Sequence, residues 1–212
     1  KYLTDLEMSN MLHGKILRSD LPHAKILSIK TEKAEQLPGV VAVITHRDVP
    51  GMNRFGIIIP DQPVLCEDRV RYIGDAIAAV AAESVAIANE ALGLIEVEYE
   101  ELPILDEIEK ALSPDAPRLH PKGNIAHRSF YQIGNVKKGF EDCSVIVEET
   151  YELPMQLHGY IETEGGVIVP EENGGITVYA GTQHGFKDRF QLSRILAIPE
   201  NDIRIISSPM GG

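Results

Sequence analysis

Between Leu102 and Lys122 four prolines, Pro103, Pro114, Pro117 and Pro121, interrupt the chain, and no apolar period is sustained among them. Proline fixes φ and removes a backbone donor, so such a stretch cannot continue a helix or a central strand. It divides the 212 residues in two. The expected organisation is a folded unit over 1–102, a proline-rich linker over 103–123 and a second unit over 124–212, with one helical turn around Glu107 to Leu112. The linker is expected to be the most protease-sensitive internal segment.

Ahead of the linker, short β-rich runs alternate with breakers. Leu12–Leu17, Ala24–Ile29 and Val40–Thr45 read as strands. Thr31 to Leu37 suits one or two helical turns, with Thr31 as N-cap and Pro38-Gly39 as the stop. The apolar run Ile77 to Ala82 fits a buried strand or a helix by periodicity; Gly74 before it and Val80 within it favour the strand. Ser84 then caps a helix with Ile87, Ala91 and Leu94 at helical spacing. Ile95-Glu96-Val97-Glu98-Tyr99-Glu100 alternates strictly, with Ile95, Val97 and Tyr99 facing the core. The three glutamates could suggest a cation site, but a solvated strand face is the simpler reading.

Beyond the linker, Ser144–Leu153, Tyr160–Val169, Ile176–Tyr179 and Ile203–Ile206 read as strands, the middle two joined by the turn Glu172-Asn173-Gly174-Gly175. Asp188 to Leu196 reads as a helix ended before Pro199.

Charge narrows the function. Lys plus Arg is 20 against Asp plus Glu at 32, a formal net charge of −12, which disfavours a phosphate-backbone binder and docking to an anionic membrane. Neither nucleic acid nor membrane is an expected partner. No spanning run or signal peptide is visible. The two cysteines, Cys66 and Cys143, cannot build a Cys₄ zinc site or an iron–sulfur cluster, and a reducing cytoplasm is the expected location.

Phosphate loops, zincin helices and nucleophile elbows are absent as motifs. His158 and Glu162 are four apart, but on extended chain that is about 13 Å, too far to share a metal. Glu162 and Glu164 suit a hydrogen-bonded strand pair better than an acid–base dyad. Tyr179-Ala180-Gly181-Thr182-Gln183-His184-Gly185-Phe186 is more informative. A strand ends in small and polar residues just before a helix begins, a geometry that aims backbone N–H groups and the Gln183 amide beyond the strand end. An anion or oxo group suits that place; an ordinary strand–helix turn accounts for it too.

Those residues, with Ile198-Pro199-Glu200-Asn201-Asp202-Ile203-Arg204-Ile205 and Met210-Gly211-Gly212, resemble the start of the molybdenum-binding region of xanthine dehydrogenases and aldehyde oxidases. Independently, Leu12-His13-Gly14-Lys15-Ile16-Leu17-Arg18-Ser19, Pro22-His23-Ala24, Leu37-Pro38-Gly39-Val40-Val41-Ala42-Val43, Pro63-Val64-Leu65, Val70-Arg71-Tyr72-Ile73-Gly74 and Glu96-Val97-Glu98-Tyr99 resemble that family's a/b hammerhead domain. The resemblance implies an α+β fold: a hammerhead domain followed by the first, incomplete part of a molybdopterin-binding domain, with both ends of the chain cut.

It further implies a molybdenum hydroxylase that uses water to oxidise an N-heterocycle or an aldehyde. Gln183 matches a glutamine that contacts an oxygen ligand of molybdenum, and Gly211 and Gly212 match a glycine-rich segment lying against the cofactor. No direct metal ligand and no catalytic residue is implied within these residues. His158 to Thr163 aligns with a segment expected to support the pocket wall. The implied cofactor of the complete enzyme is a molybdopterin-type molybdenum cofactor, with iron–sulfur clusters and FAD on other domains or subunits. Implied partners are the rest of the molybdenum subunit, those electron-transfer parts and a small-molecule substrate. The chain alone is expected to hold no cofactor and show no turnover, and to self-associate through exposed edges as a homo-oligomer. The rival reading is a non-catalytic assembly or binding module that keeps the hammerhead fold.

Overall fold

A computed structural model describes residues 2–162 and 164–209. One compact unit comprises the residues up to Ile104 together with those from Ile161 onward; a second comprises Leu105–Tyr160.

The first part of the larger unit runs β1 (His13–Arg18), β2 (Ala24–Lys30), α1 (Glu32–Glu35), β3 (Val40–Thr45), β4 (Arg69–Val70), β5 (Ala76–Ala82), α2 (Val85–Leu94) and β6 (Glu96–Glu101). Two three-stranded antiparallel sheets result, in the orders β1-β5-β3 and β4-β2-β6. β5 is the hub. Ala78, Val80 and Ala82 lie in one cluster with Ala88 and Ala91 of α2, while Ile77 lies in another with Ala24, Cys66 and Val70. Packing on both faces explains why its sequence is a continuous apolar run rather than an alternation. The alanines let helix and sheet backbones approach closely, so little space is left for a larger side chain. α2 begins where expected, and the Ser84 hydroxyl accepts the Ile87 N–H at 3.2 Å. Thr31 flanks α1 as expected, but its hydroxyl donates to Glu35 at 2.6 Å instead of capping the helix.

Two of the glutamates of β6 are matched by bases, and Glu98 accepts from the Ser28 hydroxyl at 3.2 Å. Lys25 faces Glu100 across the β2–β6 ladder and bonds it at 2.8 Å, and Lys33 bonds Glu96. The Lys33–Glu96 hydrogen bond raises the lysine's pKa and lowers the glutamate's. These exposed pairs set register more than they add stability. His23 is buried, and its Nδ1 donates to the Pro103 carbonyl at 2.7 Å while Leu102 N–H bonds the His23 carbonyl at 3.0 Å. The chain leaves β6 from this latch.

Burial gives Cys66 its chemistry. The residue is fully enclosed, and desolvation followed by the charge of Asp75 pushes its thiol up to about 12. Cys143 is exposed. Iodoacetamide at neutral pH is therefore expected to modify Cys143 in the folded chain and Cys66 only after denaturant is added; mass mapping checks this. A folded-state pKa above the ordinary 9.0 means the native state holds this proton more tightly. That contribution to stability is present below about pH 9 and is lost as pH rises toward 12.

The Leu105–Tyr160 unit contains α3 (Ile108–Leu112) and α4 (Val136–Glu141). Asn124 stitches its proline-rich part, donating to the carbonyls of Ala111 and Pro117 at 3.0 Å each and accepting Leu119 N–H at 2.8 Å. α3 matches the expected helical turn. Ser144–Leu153, expected as a strand, forms none: it is exposed and outside every ladder. A strand needs a hydrogen-bonded neighbour, and alternation alone does not supply one. The expected site of proteolysis moves accordingly. Thermolysin should cut first between Cys143 and Tyr160, then between Pro103 and Lys122, with β5 intact; early cuts in β5 would contradict this.

The last elements are β7 (Gly166–Pro170), β8 (Ile176–Ala180), α5 (Gly185–Leu196) and β9 (Ile203–Ser207). β7 pairs with β8 antiparallel, and β8 with β9 parallel. A parallel pair needs a crossover, which α5 supplies. β7 starts six residues later than the expected strand at Tyr160, and α5 starts three residues before Asp188. Among the described residues no helix is long and apolar enough to cross a membrane.

Candidate functional site

Both parallel strands end at the same edge. Ala180 of β8 pairs with Ser207 of β9, and Ser208 N–H bonds the Ala180 carbonyl at 3.1 Å. The carboxyl ends of adjacent parallel strands are where open α/β sheets place ligands. From β8 the chain passes through Gly181-Thr182-Gln183-His184 into α5; from β9 it runs toward Met210. Gly211 and Gly212, the other expected cofactor-binding residues, lie outside the described residues.

Thr182 holds the first of these connections. Its Oγ1 accepts His184 N–H at 3.1 Å, and its hydroxyl donates to the carboxylate of Asp188, one turn into the helix. This bond is why α5 begins before Asp188. Gly185 then lets the helix start lie on β9: a Cβ there would sit 3.3 Å from Ile205 Cγ2. No side chain caps α5 at His184, whose carbonyl accepts the Lys187 N–H at 2.8 Å and the Asp188 N–H at 3.1 Å. On the far side of the turn, a Cβ at Gly181 would lie 3.4 Å from the Glu162 carboxylate. Glu162 thus backs the turn, at the edge of the segment expected to support the pocket wall.

Gln183 is exposed at the apex, in a concavity of about 860 Å³ that also includes His184, Phe186, Lys187, Arg189 and Arg204. The wall contributes cations and no carboxylate, in a chain of net charge −12. Arg189 is steadied by Glu200 at 3.8 Å and by the Phe186 ring at 5.5 Å. Chemically, this is a place for an anion that presents oxygen acceptors.

The other end of α5 shows what sequence reading missed. Gly51 N–H bonds the Ile195 carbonyl and Met52 N–H bonds that of Arg194, both at 2.9 Å. Ala197, at φ 55°, and Ile198 direct their N–H groups to Ser193. Three of the last helical carbonyls are thereby satisfied, two of them by a loop more than a hundred residues earlier. Gly56 N–H is bonded by Gln191 Oε1 at 2.9 Å as well. Pro50-Gly51 signals a turn in sequence, but nothing local reveals its distant target.

Two family profiles match the chain in succession. "Aldehyde oxidase and xanthine dehydrogenase, a/b hammerhead domain" matches residues 1–103, and "Molybdopterin cofactor-binding domain" matches residues 119–212. The chain belongs to the aldehyde oxidase and xanthine dehydrogenase family. Over its full length it is 66% identical to a probable xanthine dehydrogenase component of Bacillus subtilis, covering 28% of that protein. It is 40% identical to the nicotinate dehydrogenase large molybdopterin subunit of Eubacterium barkeri, covering 50% of it. Among solved structures, the aldehyde oxidoreductase from Desulfovibrio gigas matches all of the chain with a TM-score of 0.89 at 28% identity, over 25% of its own length. The quinoline 2-oxidoreductase from Pseudomonas putida matches all of it with a TM-score of 0.88 at 32% identity, over 28% of its own length. The chain therefore spans between a quarter and a half of each of these four proteins, and its α+β architecture is that of molybdenum hydroxylases.

Proposed function

We propose that this chain is part of the large subunit of a molybdenum hydroxylase, which oxidises an electron-poor carbon of an N-heterocycle or aldehyde with oxygen from water. The observation that carries the reading is the common exit of the Gln183 turn and of Ser208-Pro209 from adjacent parallel strand ends. The relatives' names point to similar substrates: xanthine, nicotinate, quinoline and aldehydes.

The donors present suit a pterin-type molybdenum cofactor. Such a group is anionic and rich in oxygen, and the wall offers the Gln183 amide, Lys187, Arg189, Arg204 and the uncapped N–H groups of α5. When bound, the cofactor supplies oxygen transfer from water and accepts the substrate's electrons. Gln183 would orient an oxygen of the cofactor by donating its amide N–H, and the cations would hold anionic groups against the strand ends. Thr182 and Asp188 keep the turn in place beneath Gln183 without touching the cofactor themselves. By resemblance alone, Gly211 and Gly212 are further candidates for holding the same group. We place iron–sulfur clusters and FAD on other domains or subunits, and the enzyme in a reducing cytoplasm, in keeping with two free thiols.

The chain alone should bind no stoichiometric molybdenum, because a cofactor pocket needs donors converging from all sides and this concavity is open. The complete subunit should carry molybdenum and place heavy oxygen from labelled water in its product. A complete, folded subunit without molybdenum would favour the non-catalytic module instead.

A further inference from the structure

A second cavity, of about 290 Å³, lies between α5 and the strands β8 and β9, and Phe55, Asp188 and Gln191 share its wall. Apart from Asp188 and Gln191 its lining is apolar. Asp188 is the residue whose carboxylate accepts the Thr182 hydroxyl. A hydrogen bond gains strength where water is kept from it. Phe55 is delivered to this place by a loop tied at several points. Its N–H bonds the Gln62 carbonyl at 2.8 Å, and the next N–H, of Gly56, bonds Gln191 Oε1 at 2.9 Å. Asn53 donates to the Leu65 carbonyl at 2.8 Å and accepts the Leu65 N–H at 3.0 Å. Phe55 is partly buried, whereas Ile57, Ile58 and Ile59 after it are exposed and take no part in the cavity.

We propose that Phe55 is a positioning residue for Gln183: it keeps water from the Thr182–Asp188 hydrogen bond that sets the turn. The inference rests on the reading that Gln183 serves a cofactor site. Water reaching Asp188 competes with the Thr182 hydroxyl for the carboxylate. The turn then loses the tie that holds its apex, and Gln183 samples more directions. The phenyl ring covers the apolar wall without bringing a competing polar atom to it. A residue of the first half of the chain thereby acts on the turn through Asp188 and Thr182, more than a hundred residues away. The loop's seat on the far end of α5, through Gly51 and Met52, is a separate contact.

Phe55→Leu and Phe55→Asn test this, being close to each other in size and opposite in polarity. The probe is amide exchange of His184, whose N–H bonds Thr182 Oγ1, measured by NMR in the 212-residue chain. Phe55→Asn should speed it by about 10-fold or more, and Phe55→Leu should leave it within about 2-fold of the parent. The amides of β5, Gly51 and Met52 should keep their parent rates in both variants. Equal His184 exchange in the two variants overturns the proposal, since Phe55 would then only fill space. So does an equal speeding at Gly51 and Met52, which would mean that the whole loop has lifted. In a Thr182→Val background Phe55→Asn should add nothing to His184 exchange, and additive effects overturn the proposal as well. In the complete subunit Phe55→Asn should lower kcat per bound molybdenum by about 10-fold with KM unchanged, and Phe55→Leu should restore it. The exchange measurement needs no metal: if it goes as expected while the complete subunit carries no molybdenum, the hydroxylase reading fails and the tie from Phe55 to the turn stands.

Discussion

Gln183→Ala in the complete subunit lowers kcat by about 10²-fold per bound molybdenum, with an unchanged thermal transition. The first half of that expectation comes from the side chain's place. Gln183 stands at the apex of the turn, exposed in a cation-lined concavity and without a hydrogen bond among the described residues. A donor aimed at charge that grows in the transition state lowers the barrier more than it tightens substrate binding. The second half comes from what holds the turn. Thr182, Asp188 and the close approach of Gly185 to Ile205 set the backbone, and none of them uses Gln183. Gln183→Glu should be at least as damaging. Lys187, Arg189 and Arg204 on the same wall favour an ionised carboxylate, which would repel an oxygen-rich anion. Steady-state rates normalised to molybdenum decide it, and an unchanged kcat for Gln183→Ala would remove this residue from the site.

Thr182→Val provides the contrast. It removes the acceptor for His184 N–H and the donor to Asp188 together. The turn itself should loosen, costing about 1–3 kcal/mol of stability along with activity.

Legibility along the chain follows the range of the interactions involved. The α2 start is readable because its signal is local: Ser84 bonds a backbone N–H three residues on. β5 can be placed but not explained, since an apolar run does not say which layers cover its two faces. Gln183 is marked through strand–helix chemistry and family resemblance, whereas the bond that sets its turn, Thr182 to Asp188, spans six residues with no standard spacing. The early start of α5 follows from that bond and from Gly185. Ser144–Leu153 is the opposite case. Its period of two is clear, but a strand is a property of a pair, and no neighbour is present among the described residues. The docking of Gly51 on α5 is wholly hidden, because backbone N–H groups have no sequence signature.

That hidden contact yields the largest expected loss of stability. A Cβ at Gly51 would stand 2.2 Å from the Arg194 carbonyl oxygen and 2.8 Å from that of Ile195. Both obstacles are backbone, fixed at the end of a twelve-residue helix, so neither can rotate away. Gly51→Ala must therefore push the loop off α5. The N–H bonds of Gly51 and Met52 are lost together, and Arg194 loses its contact with the Met52 sulfur at 3.1 Å. Each lost hydrogen bond costs about 1 kcal/mol and overpacking adds about 1–3, so the total is on the order of 3–5 kcal/mol. That is a large share of the roughly 5–15 kcal/mol that holds a domain together. Gly93→Ala is the control. It lies within α2 with no atom near its missing Cβ, and should gain about 0.5–1 kcal/mol from helix propensity. Urea unfolding of the two variants should move the midpoint in opposite directions. Equal midpoints for Gly51→Ala and the parent chain would mean that the loop does not rest on α5. If the loop does brace α5, the damage reaches further, because the helix runs about 18 Å from this contact to the Gln183 turn. Gly51→Ala in the complete subunit should then also lower molybdenum occupancy, although Gly51 itself lines no part of the concavity.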